Sequence, residues 1–231
     1  MKKRLGIDID ETIVYTLRNF LEWYNDKHNT SFEESNFASY RWWETLGCSK
    51  EQAYVEARRY IQQKTALLGQ HMLIEFVEGA EQALDLLSRT YELYGITSRN
   101  DFWHPDTHQI SSALYVEPDE GSFFPEIPIP DFDGEGLIFP GDRIYSSSTD
   151  GMSKAEICKT FGIDTLIDDD AAVAEDCAMH GIRVYAPERP WNRSVVRHPL
   201  VRRVSGWQEL CDILSPIRAV LPDAERTHWA Y

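Results

Sequence analysis

The chain has 231 residues, 42% of them hydrophobic, and a formal net charge of -15. That length suits one ordinary domain with a small insertion, and that apolar fraction excludes wholesale disorder. With 38 acids against 23 lysines and arginines, a nucleic-acid polymer is a poor partner, although a small anion stays open because a metal or one local cation can invert the field in a pocket.

Residues 3–9 read as a buried strand. The basic start, Lys2-Lys3-Arg4, leads into an apolar stretch that Asp8 and Asp10 interrupt, which does not suit a secretory signal. No run is long enough to span a membrane. The four cysteines (Cys48, Cys158, Cys177 and Cys211) form no CxxC and read as free thiols of a reducing compartment. The expectation is a soluble cytoplasmic protein.

Val14, Leu17, Leu21 and Tyr24 recur at helical spacing over 14–29. Residues 30–48 read as irregular and aromatic. Ser49 with Gln52 is a capping-box pattern opening a helix that Gly69 closes, and another helix covers 79–89. Residues 91–97 read as the second core strand. The stretch 100–142 carries Pro118, Pro125, Pro128, Pro130 and Pro140 and reads as a long loop, with a proline-rich loop or hairpin insertion over 117–142. A third strand follows over 143–147, then a helix over 153–161 stopped by Gly162. Residues 165–167 form a short buried strand, 171–180 a helix stopped by Gly181, and 182–185 another strand. Ser205 with Gln208 reads as a second capping box, before a helix around 206–214, and 217–231 as a tail.

Strands alternating with helices predict an α/β fold with a doubly wound, Rossmann-like parallel sheet. The core is expected to comprise residues 1–14 and 79–216, with a small helical cap, 15–78, inserted after the first strand. Ligands of such sheets bind beyond the carboxyl ends of the strands, and four polar clusters fall there. Asp8 and Asp10, one residue apart, point the same way and are costly together unless a cation or a reaction needs them. Read blandly, one of them is a helix N-cap. Thr97-Ser98-Arg99 ends the second strand, where hydroxyls and free N–H groups suit a phosphate, or merely a Ser/Thr turn. Lys154 sits in the first turn of a helix whose Ser153 and Glu156 form a capping box. A cation is at the wrong end of the dipole there, which a nearby substrate phosphate would offset. On that reading, removing Lys154 relieves the start of the helix in the empty protein. Asp168 and Asp169, followed by Asp170, repel one another unless a hard cation such as Mg²⁺ or plain solvation screens them.

In this order the four pieces resemble the haloacid dehalogenase-like hydrolase superfamily, whose motifs are an Asp-x-Asp-x-Thr/Val loop, a Thr or Ser, a Lys and an acidic pair. Within it, Thr97-Ser98-Arg99, Leu166-Ile167-Asp168-Asp169 and Pro190-Trp191-Asn192-Arg193 are similar to the 5′(3′)-deoxyribonucleotidase-type group, as is Tyr40-Arg41-Trp42-Trp43-Glu44. The chain departs from that group at Glu11-Thr12, where Gly-Val is more usual, and in the proline-rich segment. The resemblance implies a Mg²⁺-dependent phosphomonoesterase working through an aspartyl-phosphate, with a 5′-nucleotidase activity. Asp8 would be the nucleophile and Asp10 the general acid and base. Thr97, Ser98 and Lys154 would hold the phosphoryl group. The metal would lie on Asp8, the carbonyl of Asp10, and Asp169, supported by Asp168. Arg99, Trp42 and Trp43 are candidates for the rest of the substrate, Trp42 and Trp43 as flat faces for a base, or simply as packing of the cap on itself.

Four other readings compete. One is a phosphatase of the same superfamily acting on another small phosphorylated metabolite. A second is a non-catalytic protein that binds a metal or phosphate. A dehydrogenase lacks its main support, since no GxGxxG follows the first strand. A metal-dependent nuclease could use clustered carboxylates, but the acidic balance disfavours its polymer substrate. The expected partner is a small phosphomonoester, not a nucleic-acid polymer or a membrane. The oligomeric state stays open, a homodimer included.

Overall fold

A computed structural model describes residues 2–68, 75–98, 143–147, 151–194 and 197–215. The expected helix stop at Gly69, the proline-rich segment 117–142, Arg99 and the tail lie outside the described residues.

Six strands form one parallel sheet: β1 (Lys3–Ile7), β2 (Tyr91–Thr97), β3 (Ile144–Ser146), β4 (Thr165–Ile167), β5 (Arg183–Pro187) and β6 (Val201–Val204). Their order is β3-β2-β1-β4-β5-β6, so the chain switches direction across the sheet between β1 and β4. The α/β, doubly wound architecture expected from the alternation is therefore the one observed.

Strand alternation divides the core in two. Leu5, Ile7, Leu93, Ile167 and Tyr185 pack with α4 (Ala80–Ser88) and α7 (Trp207–Leu214). Tyr94, Ile96, Leu166 and Val184 pack on the other face with α5 (Lys154–Thr160) and α6 (Ala171–Met179). Gly162 closes α5 at φ +62°, with its N–H on Lys159 and that of Ile163 on Cys158, a conformation L side chains resist.

Three details depart from expectation. The edge strand β6, Val-Arg-Arg-Val, carries too little apolar signal to be read as a strand, yet its backbone pairs with β5. Ser205 does not cap α7 through Gln208. Its own N–H and hydroxyl donate to Glu209, at 2.8 and 3.1 Å. The aromatic stretch 30–48 is not wholly irregular, holding a 3₁₀ turn (Glu34–Asn36) and a short helix, α2 (Trp42–Thr45).

Between β1 and β2 lie α1 (Leu17–His28), α2 and α3 (Lys50–Leu68). The Ser49–Gln52 capping box forms, each backbone N–H meeting the other's side chain. These helices have their own core of Phe20, Leu21, Phe37, Ala57 and Tyr60, into which Trp191 of the α/β layer inserts. The chain enters and leaves this helical unit side by side. Tyr15 donates to Glu75, Val77 to Ile13, and Val14 bridges Phe76.

Candidate active site

The strand register assembles the acids. Gly6 pairs with Leu166 and Ile7 with Ile167, so Asp8 and Asp168 leave neighbouring strands at one level. The Asp8 N–H still reaches Ile167 O at 2.8 Å. Both acids thus flank the point where the strand order reverses. Ile7 also pairs with Gly95, and β2 runs two residues further, which sets Thr97 beside the same end.

Asp8, Asp168 and Asp169 are buried, and a carboxylate oxygen from each lies within 4.8 Å of the others, a group able to hold a metal ion. Lys154, also buried, lies among them. Its Nζ donates to Asp8 Oδ1 at 2.6 Å and to Asp168 Oδ2 at 2.8 Å. The ammonium in the first turn of α5 is thus already offset by two carboxylates, without a bound phosphate, which corrects the expectation drawn from the dipole. Burial tends to lower that lysine, but Asp168 and Asp8 outweigh it and hold its pKa above the ordinary value. Burial, the first cause, raises Asp8, Asp168 and Asp169, only partly opposed by Lys154 at the first two and by the Trp191 hydrogen bond at Asp169. One lysine does not neutralise three buried acids, and that donor set of hard oxygens is what a divalent cation would need.

The acids are held from outside. Asp168 Oδ1 accepts the N–H of Asp170 at 2.9 Å. Asp169 receives the Thr12 hydroxyl on Oδ1 at 3.1 Å and the Trp191 indole N–H on Oδ2 at 2.6 Å. Asn192 donates to the carbonyls of Asp169 and Pro187, at 2.9 and 2.7 Å. The Pro190–Asn192 turn therefore clamps the end of β4. Sequence reading noted Trp191 and Asn192 only as part of a resemblance, because nothing local links them to an acid more than 20 positions earlier.

Asp10 belongs to another part of the site. Its Oδ1 accepts the Thr16 hydroxyl at 2.5 Å, and its side chain is not one of the three clustered carboxylates. It borders a cavity of about 160 Å³ under the helical unit, with Ser98 also on the wall. Phe20, Trp42, Tyr54 and Trp191 supply an aromatic lining. Of the two tryptophans considered for stacking, Trp42 faces this cavity. Trp43 does not border it and instead lies under the Lys50 ammonium, 5.5 Å from its ring. Ser98 accepts the Ser147 hydroxyl at 3.3 Å.

Two further residues border the cavity, Tyr40 and Glu11. Tyr40 exposes 39% of its surface, but its phenol end lies among carboxylates. Burial first, then Asp10, Asp169, Asp8 and Glu11, hold its pKa well above the ordinary value, so it stays a donor. Glu11 is 2% exposed and adopts φ +56°, a left-handed conformation unusual for a non-glycine residue. Arg189 fixes that conformation by donating twice to the Glu11 carbonyl, from Nε at 3.0 Å and Nη2 at 2.5 Å. Glu11 Oε1 accepts the N–H groups of Thr16 (2.6 Å) and Leu17. Burial pushes its carboxyl up to about 7, against the lowering effect of the Leu17 hydrogen bond.

No family model and no curated protein matches the chain. Solved structures do. A hydrolase of the haloacid dehalogenase family from Deinococcus radiodurans, with phosphate and sodium bound, is similar at 12% identity and a TM-score of 0.61, covering 96% of this chain and 98% of its own. A haloacid dehalogenase-like hydrolase from Xanthomonas campestris gives 16% identity and 0.55, covering 98% of both chains. The magnesium-bound haloacid dehalogenase-type hydrolase YfnB of Bacillus subtilis gives 15% and 0.53, covering 92% of this chain and 98% of its own. At these identities the likeness establishes the fold: the chain is folded as haloacid dehalogenase-like hydrolases are.

Proposed function

We propose that the protein is a phosphomonoesterase working through an aspartyl-phosphate on Asp8. The observation that carries this reading is the meeting of Asp8, Asp168 and Asp169 with Lys154 at the topological switch point. Its fold neighbours with bound magnesium, or with phosphate and sodium, support it.

Lys154 holds Asp8 Oδ1, which leaves Oδ2 to attack phosphorus. As the new P–O bond forms, the ester P–O bond breaks and Asp10 gives its proton to the departing alkoxide. Asp10 then takes a proton from water as that water attacks the acyl phosphate, releasing Asp8 and inorganic phosphate. The Thr16 hydroxyl on Asp10 Oδ1 keeps this carboxyl oriented between its two tasks. Thr97, Ser98 and Lys154 hold the phosphoryl oxygens as charge shifts onto them. Asp8, Asp169 and the Asp10 carbonyl, supported by Asp168, would hold Mg²⁺, whose charge lets a carboxylate and a phosphate dianion approach each other.

The finer reading is a 5′-nucleotidase, with the aromatic wall around Trp42 meeting the nucleoside. The cavity volume favours a second reading beside it, a smaller phosphorylated metabolite. About 160 Å³ is the room of one ring, as in the apolar cavity of ~150 Å³ that binds benzene. Phosphate release from ribo- and deoxyribonucleoside monophosphates, sugar phosphates and an aryl phosphate tests both. Release should need Mg²⁺, stop with EDTA and vanish in Asp8→Asn. Near-normal turnover by Asp8→Asn overturns the nucleophile. Release from sugar or aryl phosphates alone keeps the chemistry and discards the nucleotide.

A further inference from the structure

The cavity is walled by both parts of the molecule. Asp10 and Ser98 come from the α/β layer, Tyr40 and Trp42 from the helical unit. Thr97, Ser98 and Lys154, the groups assigned to the phosphoryl oxygens, all belong to the α/β layer. Tyr40 brings a further donor. Its ring meets Trp191 edge-on, with centroids 6.4 Å apart and planes at 70°. The indole N–H of that tryptophan is on Asp169 Oδ2 at 2.6 Å, and an oxygen of Asp169 lies within 4.8 Å of one of Asp8. Tyr40 thus stands one ring away from the three clustered acids, on a wall it shares with Asp10 and Ser98. Among the described residues its hydroxyl has no hydrogen-bond partner. Burial first, then Asp10, Asp169 and Asp8, keep the phenol protonated. A phosphoryl group carried by Asp8 and touching Ser98 sets acceptor oxygens at that same wall.

Resting on the phosphomonoesterase reading, we propose that Tyr40 is a catalytic residue of the helical unit, whose hydroxyl donates a hydrogen bond to a non-bridging oxygen of the transferring phosphoryl group. The acceptor is anionic, so the bond is of the stronger, charge-assisted kind, and it tightens as charge gathers on the phosphoryl oxygens. No proton is transferred through it, and Asp10 keeps both proton steps. The contact lies on the transferring group and not on the alcohol, so it is common to every phosphomonoester. The helical unit thereby takes part in the chemistry and does not merely cover it.

Tyr40→Phe deletes the hydroxyl and keeps the ring against Trp191. Inorganic phosphate, titrated calorimetrically into the protein with saturating Mg²⁺, should bind the variant about tenfold more weakly or worse, the scale of one hydrogen bond to a charged group. The value of kcat/KM should fall by one common factor for an aryl phosphate, a sugar phosphate and a nucleoside monophosphate. The urea midpoint without metal, and the rise in Tm that Mg²⁺ alone produces, should match wild type. A role confined to packing Trp191 and orienting Asp169 would move both of these. A loss confined to one class of ester puts the hydroxyl on the alcohol and overturns the proposal. A weaker response to Mg²⁺ alone makes Tyr40 a prop for Trp191 and overturns it too. A drop in the metal-free urea midpoint shows that the hydroxyl holds a protein group instead, with the same result. Equal phosphate affinity and equal kcat/KM in Tyr40→Phe and wild type remove the role of Tyr40 and leave the phosphatase reading standing. A wild-type protein that neither binds phosphate nor hydrolyses any ester removes both.

Discussion

At the level of single residues, Lys154 shows how far context overrides a local rule. Its place at a helix start predicts mild destabilisation, and its removal would then be neutral or helpful. The structure buries it between Asp8 and Asp168, at 2.6 and 2.8 Å. Deleting the cation leaves two buried carboxylates without their counter-charge, a loss on the order of 3–5 kcal/mol. Lys154→Met should therefore unfold at clearly lower urea in the metal-free protein. Lys154→Met combined with Asp8→Asn should recover part of the loss, since one of the stranded charges is gone. Equal stability of Lys154→Met and wild type would show that the ion pairs contribute nothing net. The acids and this lysine were legible in sequence because each ends an apolar strand or opens a capped helix. Glu11 was visible only as a departure from a motif. Its Oε2, buried without a hydrogen-bond partner, depends on where Arg189, 178 positions away, holds the backbone.

At the level of elements, one carboxylate of the helical unit gathers three basic partners beside its aromatic core. Glu56 of α3 receives Lys27 and His28 of α1, at 2.6 and 3.2 Å, and Arg59 one turn on, at 2.6 Å. Burial alone would raise Glu56, but hydrogen bonds from Lys27, His28 and Arg59 outweigh it and hold its pKa below the ordinary value. A carboxyl depressed in the folded state contributes stability that is fully present above the unfolded pKa of roughly 4.3. That contribution fades as pH falls through the lower folded value. Because Lys27 and Arg59 are 30% and 56% exposed, solvent discounts it to on the order of 0.5 kcal/mol. Glu56→Gln should lower the urea midpoint at pH 7 and match wild type near pH 3. A deficit that persists at pH 3 would mean lost packing, not lost charge. Elements with strong periodicity were readable, β2 to the residue and α4, α5 and α6 within one or two. The edge strand β6 was not, because its strand character comes from pairing with Pro187 and its neighbours and not from its own side chains.

For the whole molecule, the alternation of strands and helices fixes the class of fold, but the strand order places the site. With β1 and β4 adjacent, Asp8 meets Asp168 and Asp169; an order that parted β1 from β4 would separate them. No one segment carries that adjacency, since it depends on which crossovers place which strands in the middle. The same adjacency predicts that stability depends on a cation. A ligand that binds only the folded state adds about 2.7 kcal/mol at 100 times its Kd. For a chain of this size each kcal/mol moves Tm by about 2–4 °C. Saturating Mg²⁺ should thus raise Tm by roughly 5–10 °C. The net charge of -15 offers a rival cause, since any salt screens self-repulsion. NaCl at matched ionic strength and the Asp169→Asn variant separate the two. Site binding predicts a large Mg²⁺ shift in wild type, little with NaCl, and little in Asp169→Asn with either salt. Trp191→Phe keeps the ring that packs in the helical unit but loses the N–H held to Asp169 at 2.6 Å. Its Mg²⁺ shift should survive but need about 10- to 100-fold more metal, the usual effect of removing a group that orients a ligand. If Asp169→Asn responds to Mg²⁺ as wild type does, the cation acts on the acidic surface, and the three buried carboxylates are held by Lys154 and the clamp of Trp191 and Asn192 alone.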